Sequence, residues 1–326
     1  MDRLGPVRRE WRRRMAEVIL IHGIAQEQRQ ADDLEAAWLP ALAGGVRAAG
    51  QPDLADRLWR HGPPAGGIEV RMAAYGDLFL PPDNSQGDGD DLTDLPTEQQ
   101  TLAAALAAEW LDRAATRDGH PDQPTAAAQL AYLDPGHEEQ GLREEAARAL
   151  LNGTARLKWF APLGMAFAQR FLNKSLRQVT GYLTDPDLRD QIQQRVLTHL
   201  DAETRIIIGH SLGSVVGYEI AAAHLNRPLP LLLTLGSPLG LRTIVYDRLR
   251  PQPPIYPTQV NRWVNIADRN DLVAAQPDLA PLFQDSKPDT AALDCSWTVD
   301  NGAKPHDASF YLTKRQIGQP IATALL

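Results

Sequence analysis

The stretch from Arg205 to Ser214 constrains this chain more than any other. Three β-branched residues, Ile206 to Ile208, run straight into Gly209-His210-Ser211-Leu212-Gly213, and Val215 to Ala223 follows as small and apolar residues. A β-branched run suits a strand, and the apolar segment after it suits a helix packed on a sheet. A turn this tight leaves no room for side chains two residues before and after its serine, so glycines flank it. The turn also holds the serine in a strained backbone conformation. Strand, turn and helix together require a layered α/β architecture, and Ser211 is the first candidate nucleophile.

The rest of the composition narrows the field. With 326 residues the chain fits one large α/β domain with insertions, or two small domains. A net charge of −8 argues against general nucleic-acid binding. The lone cysteine, Cys295, excludes an internal disulfide framework and fits a reducing compartment, so a cytoplasmic location is expected. No apolar run approaches the ~20 residues of a membrane span. Residues 1–14 carry six arginines, among them Arg3, Arg8 and Arg12. The apolar run behind them, Val18 to Ile21, is too short for a signal peptide. A flexible basic lead-in is expected there, with a basic binding arm as the alternative and Met15 as a candidate start.

Val18 to Ile21 is wholly apolar, as a strand buried on both faces of a parallel sheet should be, and it ends in His22-Gly23-Ile24. Leu34, Trp38, Leu42 and Val46 mark an amphipathic helix over 31–49, and Ile68 to Tyr75 suits the next strand. Pro81 to Pro96, with Asp83, Asp88, Asp90, Asp91 and Asp94, reads as a mobile acidic loop. A Ca²⁺ loop is the weaker reading, because spaced ligands and a closing Glu are missing. From Thr97 to about Leu183 the pattern is helical. Within it, 157–181 is rich in aromatics (Trp159, Phe160, Phe167, Phe171), and the window 146–184 contains basic but no acidic residues. That region fits an acyl tunnel or peripheral membrane contact. A helix packed on the main domain, with its basic residues in solvent, is the preferred reading. Asp185-Pro186 starts a helix to Leu200. Strands follow at 230–235, 262–266 and 296–299, and one closing helix is expected from Asp307 to Leu325.

A serine nucleophile needs a base to take its proton, and the base needs an acid to fix its tautomer. Ser211, then Asp271 or Asp268, then His306 occur in that chain order, each at the C-terminal end of an expected strand. His210 adjoins the serine and is expected to point away from the cleft. Most other histidines precede the turn, which leaves His306 as the base.

These residues resemble the α/β-hydrolase-fold serine hydrolases, nearer their lipase and esterase branches. The likeness rests on His22-Gly23, Gly209 to Gly213, Leu233-Thr-Leu-Gly-Ser-Pro-Leu239 and Asn270-Asp271-Leu272-Val273. It implies a mostly parallel central sheet flanked by helices, with a core at 15–80 and 185–326. The acidic loop and helical cap would be an insertion at 81–184. It also implies ester hydrolysis through an acyl-enzyme, with Ile24 and Leu212 N–H groups as the oxyanion hole and Asp271 favoured over Asp268 as the acid. The expected substrate is a small or lipid-like acyl compound, and neither a cofactor nor a metal is needed. Amidase, thioesterase and acyltransferase activities would use the same triad, and the fold also includes non-enzymatic binding proteins.

Overall fold

The computed structural model describes residues 16–60, 66–80, 92–132, 140–157, 165–274 and 276–326. Its strands are β1 (Val18–Ile21), β2 (Val70–Ala73), β3 (Ile206–His210), β4 (Leu229–Leu235), β5 (Val260–Asp268) and β6 (Ala292–Val299). They form one sheet in the order β2-β1-β3-β4-β5-β6, and every neighbouring pair is parallel. The chain therefore steps from β1 to one side to make β2 and then crosses to the other side for β3. A crevice opens at the carboxyl ends of β1 and β3, where this reversal occurs, and open parallel sheets bind ligands at such a point.

Side chains alternate between the two faces of each strand. Ile19, Ile21, Ile207 and Leu232 enter one buried cluster, while Val18, Leu20, Ile206, Ile208, Leu231 and Leu233 enter another. Fully burying such a side chain is worth roughly 1.5–3 kcal/mol, so both faces must be covered. Helices α1 (Ala31–Ala48) and α2 (Pro52–Trp59) cover the second face together with α10 (Ala308–Leu312) and α11 (Arg315–Leu325). The first face is covered by α3 (Thr97–Thr116), α6 (Met165–Thr184), α7 (Pro186–Leu197) and α8 (Leu212–Ala223). Helices α4 (Gln123–Tyr132) and α5 (Gln140–Ala155) pack beside α3, and the short α9 (Ala280–Phe283) lies between β5 and β6 in the chain.

Leu102, Leu106 and Trp110 of α3 and Leu172, Leu176 and Tyr182 of α6 share one cluster with the sheet residues Ile19 and Ile207. The apolar stripe of α6 is thus buried against the sheet side of the molecule, as the preferred reading of that helix requires. The aromatic residues Trp159 and Phe160, the basic lead-in expected at 1–14 and residues 81–91 of the acidic loop expected at 81–96 lie outside the described residues, while Leu92–Asp94 of that loop form a short 3-10 helix. No helix among the described residues is long and apolar enough to cross a membrane.

Two sequence expectations change. The expected closing helix is two helices, because Lys314 adopts an extended backbone (φ −80°, ψ 142°) between α10 and α11. Asp307 starts the first of them by accepting the Ser309 N–H at 2.9 Å. The sequence pattern also gave no reading of α2, which begins at Pro52, a favourable first helical residue.

Candidate active site

The β3–α8 turn is built around a residue that sterics disfavour. Ser211 has φ 55° and ψ −127°, outside the usual regions for an L-residue. Such a conformation costs on the order of 1–3 kcal/mol and persists only when its surroundings hold it. Ser211 N–H donates to Leu235 O at 3.0 Å, and Ser214 N–H donates to Ser211 O at 2.9 Å. The Ser214 hydroxyl reaches the same carbonyl at 2.5 Å and lies 2.7 Å from Ser237 Oγ. A Cβ at Gly213 would stand 2.3 Å from the carbonyl oxygens of Ile21 and His22, so β1 fits against the turn only because residue 213 has no side chain.

The loop after β1 lies directly over the serine. A Cβ at Gly23 would meet Ser211 Oγ at 3.2 Å and Ser211 Cβ at 2.6 Å. His22 is buried, and burial pushes its pKa down to about 4. Its Nε2 accepts the Tyr75 N–H at 3.1 Å, so Nδ1 carries the proton and donates to Gly23 O at 2.7 Å. The Tyr75 hydroxyl donates to His22 O, and the two rings stack with centroids 4.1 Å apart. A neutral, doubly clamped imidazole therefore fixes the start of this loop. Ile24 follows on the cavity wall, and Ala25 takes a left-handed φ of 60°. Leu212, the other expected donor, is the first residue of α8, where an N–H has no acceptor within the helix.

The structure brings Asp271 and His306 together and leaves Asp268 apart. His306 Nδ1 lies 2.8 Å from Asp271 Oδ2. Asp271 is wholly buried, and its other oxygen accepts the Val273 and Ala274 N–H groups at 3.0 and 3.4 Å. Burial pushes its carboxyl up, but the charge and hydrogen bond of His306 and the hydroxyl of Tyr311 outweigh this and hold it below the ordinary carboxylate range. Asp268 instead accepts the N–H groups of Asn270 (2.7 Å) and Asn301, tying together two loop ends, and burial raises its pKa.

Sequence reasoning missed Tyr311 and gave no role to Gly236. The Tyr311 hydroxyl donates to Asp271 Oδ2 at 2.8 Å and accepts the Asp268 N–H at 2.7 Å, so one phenol ties the Asp271 carboxylate to the backbone at the end of β5. Tyr311 belongs to no local motif, and nothing in its neighbours marks it. Gly236 ends β4 with φ 53°, and a Cβ there would stand 2.7 Å from Asp271 Oδ2 and 3.1 Å from His306 Nδ1. A glycine after a buried strand is a local signal, but the groups that give it its role lie far along the chain.

His210 corrects an expectation. It lines the same cavity as Ser211 and His306, with its ring centroid 4.6 Å from that of His306. The unusual φ of Ser211 turns the chain just after it, so the His210 ring lies among Trp38, Tyr311 and His306. Burial, and then the neighbouring His306, push its pKa down to about 3, which keeps it neutral.

Ser211, His306 and Ile24 open on one cavity of about 520 Å³. Trp110 of α3, Phe171 of α6 and Val273 form much of its apolar wall, and Ser175 of α6 lines it beside them. Arg117, just after α3, donates to the carbonyl oxygens of Arg269 and Asp271, so the helices also hold the loop that bears the buried aspartate. No group of three or more His, Cys, Asp or Glu among the described residues is arranged to hold a metal ion. Compared with known proteins, the chain matches no family model, no curated protein and no solved structure.

Proposed function

We propose that this protein is a serine hydrolase that cleaves carboxylic esters. The observation that carries the reading is a strained serine at a strand-to-helix turn, sharing a cavity with a histidine whose far nitrogen is bonded to a buried, ionised aspartate. Strained non-glycine residues are retained where a side chain must be presented, and the aspartate gives the imidazole the tautomer a base needs.

In the proposed reaction His306 Nε2 takes the proton of Ser211 Oγ as that oxygen attacks the ester carbonyl. The carbonyl π electrons move onto its oxygen, which is met by the Ile24 and Leu212 N–H groups. The carbonyl re-forms, the C–O bond to the leaving group breaks, and His306 returns the proton to the departing alcohol. Water, deprotonated by the same imidazole, then attacks the acyl-enzyme; the bond to Ser211 Oγ breaks as His306 returns that proton to it, which releases the carboxylic acid and the free serine. Asp271 stays ionised throughout and stabilises the imidazolium. The walls formed by Trp110, Phe171 and Val273 suit an apolar acyl group.

A fluorophosphonate probe is expected to label Ser211, and short p-nitrophenyl esters are expected to turn over. Ser211→Ala should abolish labelling and lower kcat by about 10⁶-fold. Turnover of those esters by the folded variant at the wild-type rate would overturn the reading. Matched amides and thioesters, tested beside esters of rising chain length, separate this activity from the others that the same three side chains serve.

A further inference from the structure

Helix α6 carries a polar residue within its buried stripe. Gln178 is 2% exposed and lies between Leu176 and Val179 on the side that faces the cavity loop. Burying a carboxamide is unfavourable unless both its ends are hydrogen-bonded. Here both are. Its Oε1 accepts the Ala25 N–H at 2.9 Å, and its Nε2 donates to Glu27 Oε1. Glu27 is itself buried, and its other oxygen lies 3.3 Å from Lys174 Nζ, one turn earlier on the same helix. Two residues of α6, four apart, therefore grip the loop that follows β1.

The grip falls where the loop is least able to hold itself. Ala25 has a left-handed φ of 60°, which an L-residue adopts at a cost of roughly 1–2 kcal/mol. The residue before it is Ile24, whose N–H is the oxyanion donor under the hydrolase reading. Toward the start of α6, Ser175 and Phe171 follow at helical spacing and line the cavity. One helix face thus touches both the space beside the serine and the backbone that would stabilise the developing charge.

We propose that Gln178 is a positioning residue for the oxyanion hole: its side-chain oxygen fixes the Ile24–Ala25 backbone so that the Ile24 N–H is aimed before the reaction begins. This rests on the hydrolase reading above. It makes the helical stretch between β2 and β3 part of the rate-determining machinery as well as part of the cavity wall.

The test replaces Gln178 by methionine, which has similar length and neither hydrogen-bonding end. Removing an oxyanion donor costs roughly 10²–10³-fold in kcat, and misaiming one should cost about 10- to 100-fold. KM is expected to stay within about twofold, because the ground-state ester barely uses the donor. Binding of an alkyl trifluoromethyl ketone, which forms a charged tetrahedral adduct with the serine, should weaken by the same factor as kcat. Binding of an uncharged alkyl ether of equal length should not change. Equal kcat in variant and wild type, or a loss shared equally by ketone and ether, overturns the proposal. Should Gln178→Met not fold, Lys174→Met loosens the Glu27 end from a partly exposed position. A two- to fivefold fall in kcat and in ketone affinity is then expected, and no change overturns the proposal. Fluorophosphonate labelling of the wild type keeps the two readings apart: without labelling both fall, and with labelling but no Gln178 effect only this one does.

Discussion

Two buried carboxylates in this molecule have opposite surroundings. Glu219 of α8 is sealed among Tyr182, Gln193, Arg189 and the backbone of Arg250. Its oxygens accept the Tyr182 hydroxyl at 2.5 Å, Gln193 Nε2 at 2.9 Å and the Arg250 N–H at 2.8 Å. Arg189 lies 3.7 Å away and is itself 1% exposed. Burial raises the Glu219 pKa, and these partners only partly offset it. Asp271 is buried as deeply, yet its pKa is lowered, and its chief partner is an imidazole that is 17% exposed on a cavity wall. One cluster joins α6, α7 and the backbone at Arg250 to α8. The other joins the loop after β5 to His306 and Tyr311, and His306 lines the same cavity as Ser211.

Substitutions should separate the two clusters by what they change. The largest effect is expected for Asp271→Asn. Its kcat for ester hydrolysis should fall about 10⁴-fold through loss of the correct tautomer. A small change in the urea midpoint would show that the loss is chemical. Arg189→Met should do the reverse. It strands a buried carboxylate and should cost about 3–5 kcal/mol of stability in urea titrations. The rate per folded molecule should stay at the wild-type value; a comparable fall in that rate would erase the distinction between the clusters.

The smallest effect concerns acid. His22 and His210 have folded pKa values pushed down to about 4 and about 3, against an ordinary 6.5. Between those limits the unfolded chain binds more protons than the folded one, so stability rises with pH and is lost as pH falls below 6.5. Between pH 7 and pH 5 each group should remove about 2 kcal/mol. His210→Phe is expected to flatten the dependence of Tm on pH across that range. An unchanged slope would show that this ring is not the buried, neutral group beside the open cluster.

The parts of this architecture that depend on local pattern could be read in the sequence. Val18 to Ile21 and Ile206 to Ile208 are strands because nothing but a doubly covered sheet suits them, and Asp185-Pro186 begins a helix where capping chemistry says it should. Ser211, Asp271 and His306 could be proposed because each ends or follows a strand. Tyr311, Gln178 and Gly236 could not be assigned roles, because what they do depends on pairs distant in the chain. Gln178 and Ala25 are 153 residues apart, and Tyr311 and Asp271 are 40 apart. The resemblance carried by Asn270-Asp271-Leu272-Val273 already favours Asp271 over Asp268. The two lie three positions apart, and Asp271 is the one that His306 Nδ1 reaches, at 2.8 Å.

Chain order has a consequence in time. The elbow at Ser211 is synthesised well before His306, and at 5–20 residues per second the interval is roughly 5–20 s. During that interval α11 does not yet exist, and the face that it shares with α1 stays bare around Trp38, Leu42 and Val46. A nascent chain therefore carries a serine with no base and a sheet with one side open to its neighbours. The same late segment first delivers the imidazole and then α11, which closes the apolar face. A chain interrupted before His306 would be sticky and inert together.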